Sequence, residues 1–127
     1  MALALALSWA SMLAHNQFEL PLTPVDLANS GPLAVDVVLA AAFAFAPGSR
    51  LAILAIATWG LLNLVIGGVI SVFPLPILPF IPEQSVSHYL AHVVYTLGQI
   101  PLVVLSIRAF RAPASSRPEP VSRLPRW

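Results

Sequence analysis

Residues 51–73 read LAILAIATWGLLNLVIGGVISVF and contain no charged residue. A helix needs about 20 apolar residues to cross the roughly 30 Å hydrocarbon core of a bilayer. The stretch is long enough for that purpose, and it predicts a transmembrane helix.

The composition of the whole chain indicates the same class of protein. Of its 127 residues, 58% are hydrophobic and only 9% are charged, whereas a soluble domain is about 45–50% apolar and about 25% charged. The chain has no cysteine, which excludes disulfides, thiolate metal sites and cysteine nucleophiles. Its basic residues are all arginine, and together with the abundance of alanine, leucine and proline this usage is typical of a GC-rich genome. We therefore predict an integral membrane protein of bacterial origin.

Three further segments are apolar enough to join residues 51–73 in a helical bundle. One runs from the N-terminus to about residue 20, one from 32 to 46, and one from about 82 to 110. We predict an all-α fold with a membrane domain over residues 1–111, whose four transmembrane helices lie at about 1–20, 32–46, 51–73 and 82–110. Residues 112–127 are rich in proline and arginine and have little to bury, so we expect a disordered tail there.

The first segment has an alternative interpretation as a signal peptide, since Ser8-Trp9-Ala10 resembles a cleavage site. It lacks the basic residues that precede the apolar region of such peptides. We therefore expect this segment to be a retained helix.

The distribution of arginine predicts the orientation. Arg50 lies in the short connection between the second and third segments, Arg108 and Arg111 lie at the end of the fourth, and the rest lie in the tail. Short loops rich in arginine stay on the cytoplasmic side of a membrane. We therefore predict that both termini lie inside, in a bacterial cytoplasmic membrane.

Polar residues recur every three or four positions along the fourth segment, which places them on one helical face. They are Gln84, His88, His92, Tyr95 and Gln99. Lipid cannot satisfy the hydrogen bonds of such groups, so this face is predicted to point into the bundle, a cavity or a partner.

The first and third segments carry similar stripes. The first has polar residues at helical spacing, namely Ser8, Ser11, His15 and Glu19. The third has small or polar residues that allow another helix to approach closely, namely Gly60, Asn63, Gly67 and Ser71. We interpret Asn63 and Gln99 as structural.

The histidines form the strongest candidate site. His88 and His92 are four residues apart, the spacing at which two imidazoles on one helix bind one metal ion. His15 and Asp36 are predicted at a similar depth, near the outer interface, and would supply a third and a fourth ligand suited to zinc, copper or iron.

Other chemistry is open to the same residues. Imidazoles and a carboxylate could transfer protons, and a quinone head group could bind a histidine and Tyr95. Haem ligation would need histidines on opposite sides of the macrocycle. Membrane helices also use such residues only for packing, through interhelical hydrogen bonds. The sequence therefore requires no particular cofactor.

We expect the protein to act as an accessory or structural subunit of a larger membrane complex. A second helix of 15 residues would measure only about 22 Å, which is short for a span in contact with lipid and favours contact with other protein. The apolar, proline-rich loop at 74–82 also needs a surface to lie on. The alternatives are a metal-, redox- or proton-handling protein and a small oligomeric transporter or channel.

The chain shows no phosphate-binding loop and no nucleophile elbow, so we expect no enzymatic activity from it alone. Its arginines are spread along a tail, which argues against nucleic-acid binding. The expected partners are the lipid bilayer and other membrane subunits or further copies of the chain.

Overall fold

The computed structural model describes residues 1–20 and 22–112. This part of the chain forms four helices and no strands, which confirms the all-α prediction. The helices are α1 (Ala2–Glu19), α2 (Leu27–Phe45), α3 (Arg50–Leu62) and α4 (Val86–Arg111), and α3 continues through a π-helical stretch (Asn63–Val69) and a 3₁₀ turn (Ile70–Val72). The predicted tail lies outside the described residues from position 113 onward.

Three of the helices are long and apolar enough to cross a membrane. They are α2 with 19 residues, the continuous helix Arg50–Val72 with 23, and α4 with 26. Helix α1 does not meet that standard because Ser8, Ser11 and the polar residues of its last two turns reduce its apolar character.

The described residues bury several polar groups beside a small apolar core, and they expose many apolar side chains. Helix α4 is central, and its buried face includes His88, His92 and Gln99. The two buried residues of α2, Asn29 and Asp36, are both polar. Valines and leucines cover much of the outer surface of the bundle. This is the distribution expected where the surroundings are lipid, because lipid cannot satisfy polar side chains.

Helix α2 begins five residues earlier than predicted. Asp26 is its N-cap, and the Asp26 carbonyl accepts hydrogen bonds from the N–H groups of Asn29 and Ser30. Pro32 is accommodated inside the helix, where its ring costs one backbone hydrogen bond. The helix is therefore about 28 Å long, so the argument from a short second span was wrong. The earlier start places Asp36 near the middle of α2.

Helix α4 begins four residues later than predicted because Ser85 caps it, its hydroxyl accepting a hydrogen bond from the N–H of His88 at 3.2 Å. Gln84 consequently lies outside the helix and not on its polar face. Its side-chain amide donates to the carbonyl of Val72 at 3.1 Å and accepts from the Tyr89 hydroxyl at 2.6 Å. Gln84 therefore ties the end of the α3 segment to the start of α4.

Small residues allow close contact between α4 and its neighbours. A Cβ atom at Gly98 would collide with the Cβ and Oγ atoms of Ser11 on α1. Gly67 lies against the Tyr95 ring, and a Cβ there would lie 2.6 Å from the hydroxyl oxygen. Gly60 also packs closely against α4, since a Cβ atom added there would lie 3.3 Å from Leu102 Cγ.

Substitution of Gly98 by alanine should lower the free energy of unfolding by about 1–3 kcal/mol, because α1 and α4 must move apart to make room for the methyl group. The matched control is Gly31→Ala in α2, where the nearest atom to a new Cβ is Leu27 Cδ1 at 3.7 Å. This control should stay within about 1 kcal/mol of the parent protein. Unfolding of both variants in mixed detergent–SDS micelles measures the difference, and equal effects would contradict the packing described.

Candidate metal centre

All three histidines of the chain converge at one end of the bundle. His15 is on the last turns of α1, His88 is in the first turn of α4, and His92 is one turn further along. One ring nitrogen from each lies within 4.8 Å of the other two. The ring centroids of His15 and His92 are 4.3 Å apart, and those of His88 and His92 are 4.5 Å apart.

Each histidine directs its Nδ1 atom at an oxygen. The partners are Asn16 Oδ1 for His15 at 3.0 Å, Glu19 Oε2 for His88 at 2.7 Å, and the Gly68 carbonyl for His92 at 3.2 Å. Carbonyl oxygens only accept hydrogen bonds, so Nδ1 carries the proton in His15 and His92. The Nε2 atom of a neutral imidazole in this tautomer has a free lone pair.

Two of the Nε2 atoms are buried without a partner. They belong to His15 and His88, and no other buried side-chain nitrogen or oxygen among the described residues lacks one. Leaving such an acceptor unsatisfied costs about 1–3 kcal/mol. A metal ion bound to both imidazoles through Nε2 would satisfy both atoms, since neutral imidazole nitrogen is a common metal ligand.

A chain of hydrogen bonds fixes the orientation of His15. The carbonyl of Thr23 accepts from Asn29 Nδ2 at 2.8 Å, and Asn29 Oδ1 then accepts from Asn16 Nδ2 at 2.7 Å. Asn16 is left with its oxygen facing His15. Thr23 is held in turn by Asp26, whose carboxylate accepts from the Thr23 hydroxyl and N–H, and these bonds lower the pKa of Asp26.

The π-helical stretch of α3 positions His92. Gly67 and Gly68 lie in this stretch, and their lack of side chains brings the backbone close to α4. The Gly68 carbonyl is thereby within reach of the His92 ring. Single π-helical turns inside longer helices occur frequently at functional sites.

The histidines face a cavity of about 580 Å³, a volume typical of small-molecule sites. Tyr95 and Ser71, both on the predicted stripes, also line it. The Ser71 hydroxyl donates to the Gly67 carbonyl at 2.6 Å. The remaining walls include Met12, Glu19, Leu20, Phe80, Ile81 and Glu83.

Asp36, predicted as a fourth ligand, is not part of the group that the three histidines form. Its Oδ1 atom accepts a hydrogen bond from Trp59 Nε1 at 2.7 Å. The Trp59 carbonyl accepts from Asn63 Nδ2, and Asn63 Oδ1 accepts from the Tyr95 hydroxyl, both at 2.8 Å. The early start of α2 places Asp36 deeper in the bundle, where it connects α2 to α3.

Gln99 lies outside the cavity and has a packing role. It is fully buried, and its side-chain amide group bonds to the hydroxyl and carbonyl of Ser8 and to the Ser11 hydroxyl. The contact between His15 and His92 does not fit haem ligation by both residues. Two imidazoles that ligate one haem lie on opposite sides of the macrocycle, whereas these two rings are in edge contact, with centroids 4.3 Å apart.

Several residues of the site were not predicted as ligands or supports. Glu19 was placed on the stripe of the first helix without a role, and Asn16, Asn29 and Gly68 were not singled out. A signal for the two asparagines exists in the sequence, because they lie on the turns that flank the α1–α2 connection. Nothing in the sequence pattern predicts that a backbone carbonyl faces His92.

No protein-family model, curated protein or solved structure matches this chain. The described residues form an all-helical structure with three helices that are long and apolar enough to cross a membrane, and with a cluster of three histidines of which His88 and His92 are buried and His15 is half-buried.

At a pH where the imidazoles are neutral, His15 and His92 of the metal-free protein should be Nδ1–H tautomers, which is the minor form of imidazole in water. Long-range ¹H–¹⁵N correlation of histidine-labelled protein distinguishes protonated from unprotonated ring nitrogens. Asn16→Ala removes the acceptor of His15 alone and should change the tautomer of that ring only. Finding the proton on Nε2 of His15 and His92 in the parent protein would contradict the geometry.

Proposed function

We propose that this is a multi-pass membrane protein that binds one divalent transition-metal ion through His15, His88 and His92. The observation that carries the proposal is the convergence of all three imidazoles with each Nδ1 atom directed at an oxygen. Metal-bound histidines almost always donate their second ring N–H to a carboxylate or a carbonyl, which orients the ring and raises its basicity.

The distances fit a tetrahedral ion after a small adjustment. Zinc–imidazole bonds of about 2.0–2.1 Å place ligand nitrogens about 3.3 Å apart, compared with the 4.8 Å limit within which these nitrogens lie. Closure requires movements of about 1 Å. Three histidines leave a fourth position open, as in catalytic zinc sites. The Glu19 carboxylate, which bonds to His88, offsets part of the charge of the ion.

A pore through a single chain is disfavoured by the packing on the inner side of the cavity. Gln99, Ser8 and Ser11 are all buried and bonded to one another. Gly98 brings α1 and α4 together at the same level. This arrangement supports a binding or catalytic site in preference to a transport path within one copy.

The accessory-subunit role is a second proposal, favoured by the proline-rich loop between α3 and α4. Ile77 and Ile81 in this loop are 84% and 90% exposed. Such side chains lie favourably against lipid or a neighbouring protein. The short-helix argument no longer supports this role.

We also propose four spans, with both termini on the cytoplasmic side of a bacterial membrane and the histidines near the outer face. Helix α1 contacts α4 along its length, from the Glu19–His88 pair to a contact between Met1 and Ser106. We therefore propose that α1 crosses the membrane alongside α4, although α1 is less apolar than the other three helices. Arg50 lies over the Phe110 ring at 5.8 Å, which supports an arginine-rich end opposite the histidines.

The parent protein in detergent should bind one Co²⁺ or Zn²⁺ ion per chain, and His92→Ala should reduce the affinity at least 100-fold because it removes a ligand. Isothermal titration and metal analysis after gel filtration measure both. The matched control is Leu90→Ala, on the same turn of α4 but 60% exposed, which should bind as the parent does.

The comparison uses only variants whose thermal stability and yield in the membrane match those of the parent protein. A parent protein that takes up no more metal than a correctly folded His92→Ala variant would overturn the proposal.

The proposed orientation is testable because the chain has no cysteine of its own. A cysteine at Ala46 should react with a membrane-impermeant maleimide only in inverted vesicles, and a cysteine at Val25 only in right-side-out vesicles. Both positions are exposed in connections between helices. Labelling of both cysteines from the same side would contradict the topology.

A further inference from the structure

The cavity that holds the histidines has an apolar mouth. Phe80, Ile81 and Pro82, from the loop between α3 and α4, line the cavity together with Leu20 at the end of α1. Ile81 is 90% exposed and Phe80 is 51% exposed, although both form part of the cavity wall. An apolar edge of this kind lies favourably in the membrane interface and not in water.

The inner part of the same cavity is polar. It contains the three imidazoles and the Tyr95 hydroxyl, and a bound divalent ion there would present an open coordination position. An anionic oxygen is a good ligand for that position, because the three imidazoles are neutral ligands and the Glu19 carboxylate, which bonds to His88, offsets only part of the charge of the ion. The cavity therefore combines a site for a charged head group with an apolar exit towards lipid.

We infer that the cavity binds a long-chain amphiphile whose anionic oxygen head group ligates the metal and whose chain leaves past Phe80 and Ile81 into the bilayer. This inference rests on the proposed metal site. A volume of about 580 Å³ holds a head group and the first part of a chain. A small water-soluble anion would make no contact with the apolar mouth, whereas the chain of an amphiphile would, so the mouth favours the amphiphile.

The test uses Co²⁺-loaded full-length protein in phosphatidylcholine nanodiscs, because the visible spectrum of Co²⁺ reports its ligands. Dodecanoate is the probe, and acetate and dodecanol separate the contributions of the head group and the chain. Dodecanoate should change the spectrum at a concentration at least tenfold lower than acetate, and dodecanol should leave the spectrum unchanged.

Partitioning concentrates any long-chain acid in a nanodisc, so the decisive comparison is between two loop variants. Ile81→Ser alters the cavity mouth and should raise the dodecanoate midpoint at least fivefold. Ile77→Ser removes an equally exposed isoleucine of the same loop that does not line the cavity, and it should leave the midpoint unchanged.

Three results would overturn the inference while leaving the metal site intact. They are a Co²⁺ spectrum that does not respond to dodecanoate, equal midpoints for the two loop variants, and a change in the ligand-free spectrum on Glu83→Gln. The last result would show that a carboxylate of the chain occupies the fourth position. Failure to bind Co²⁺ at all would overturn the proposed function together with this inference.

Discussion

The pairing of α1 with α4 is the contact on which the rest of the structure depends. Gly98 removes the side chain that would separate the two helices, and Gln99 then bonds to Ser8 and Ser11 across the contact. This fixes the register of two antiparallel helices. His15 lies about one turn beyond Ser11 on α1, and His92 lies between one and two turns before Gly98 on α4.

The same register accounts for the Glu19–His88 pair. Glu19 lies one turn beyond His15, and His88 lies one turn before His92. The four side chains therefore form two neighbouring pairs, His15 with His92 and Glu19 with His88. Buried polar contacts of this kind hold membrane helices together with about 0.6–2 kcal/mol each. The packing of the two helices and the assembly of the site are therefore consequences of one contact.

Much of the fold could be predicted from the sequence, because helical periodicity and apolar length are local properties. The stripes on α1 and α4 identified the histidines for the same reason. Periodicity gives the face on which a residue lies but not the partner that the face meets. Asp36 shows this limit, since its position depended on where α2 begins, and that was decided by the Asp26 cap and by a proline accommodated inside the helix. The supporting roles of Asn16 and the Gly68 carbonyl depended on tertiary contacts in the same way.

Zinc K-edge X-ray absorption of the metal-loaded protein in nanodiscs tests the central claim most directly, because it reports the number and type of ligands. The account predicts a four-coordinate ion with three imidazole nitrogens at about 2.0–2.1 Å and one further light-atom ligand. A spectrum without imidazole scattering, or one of six oxygen ligands, would contradict it.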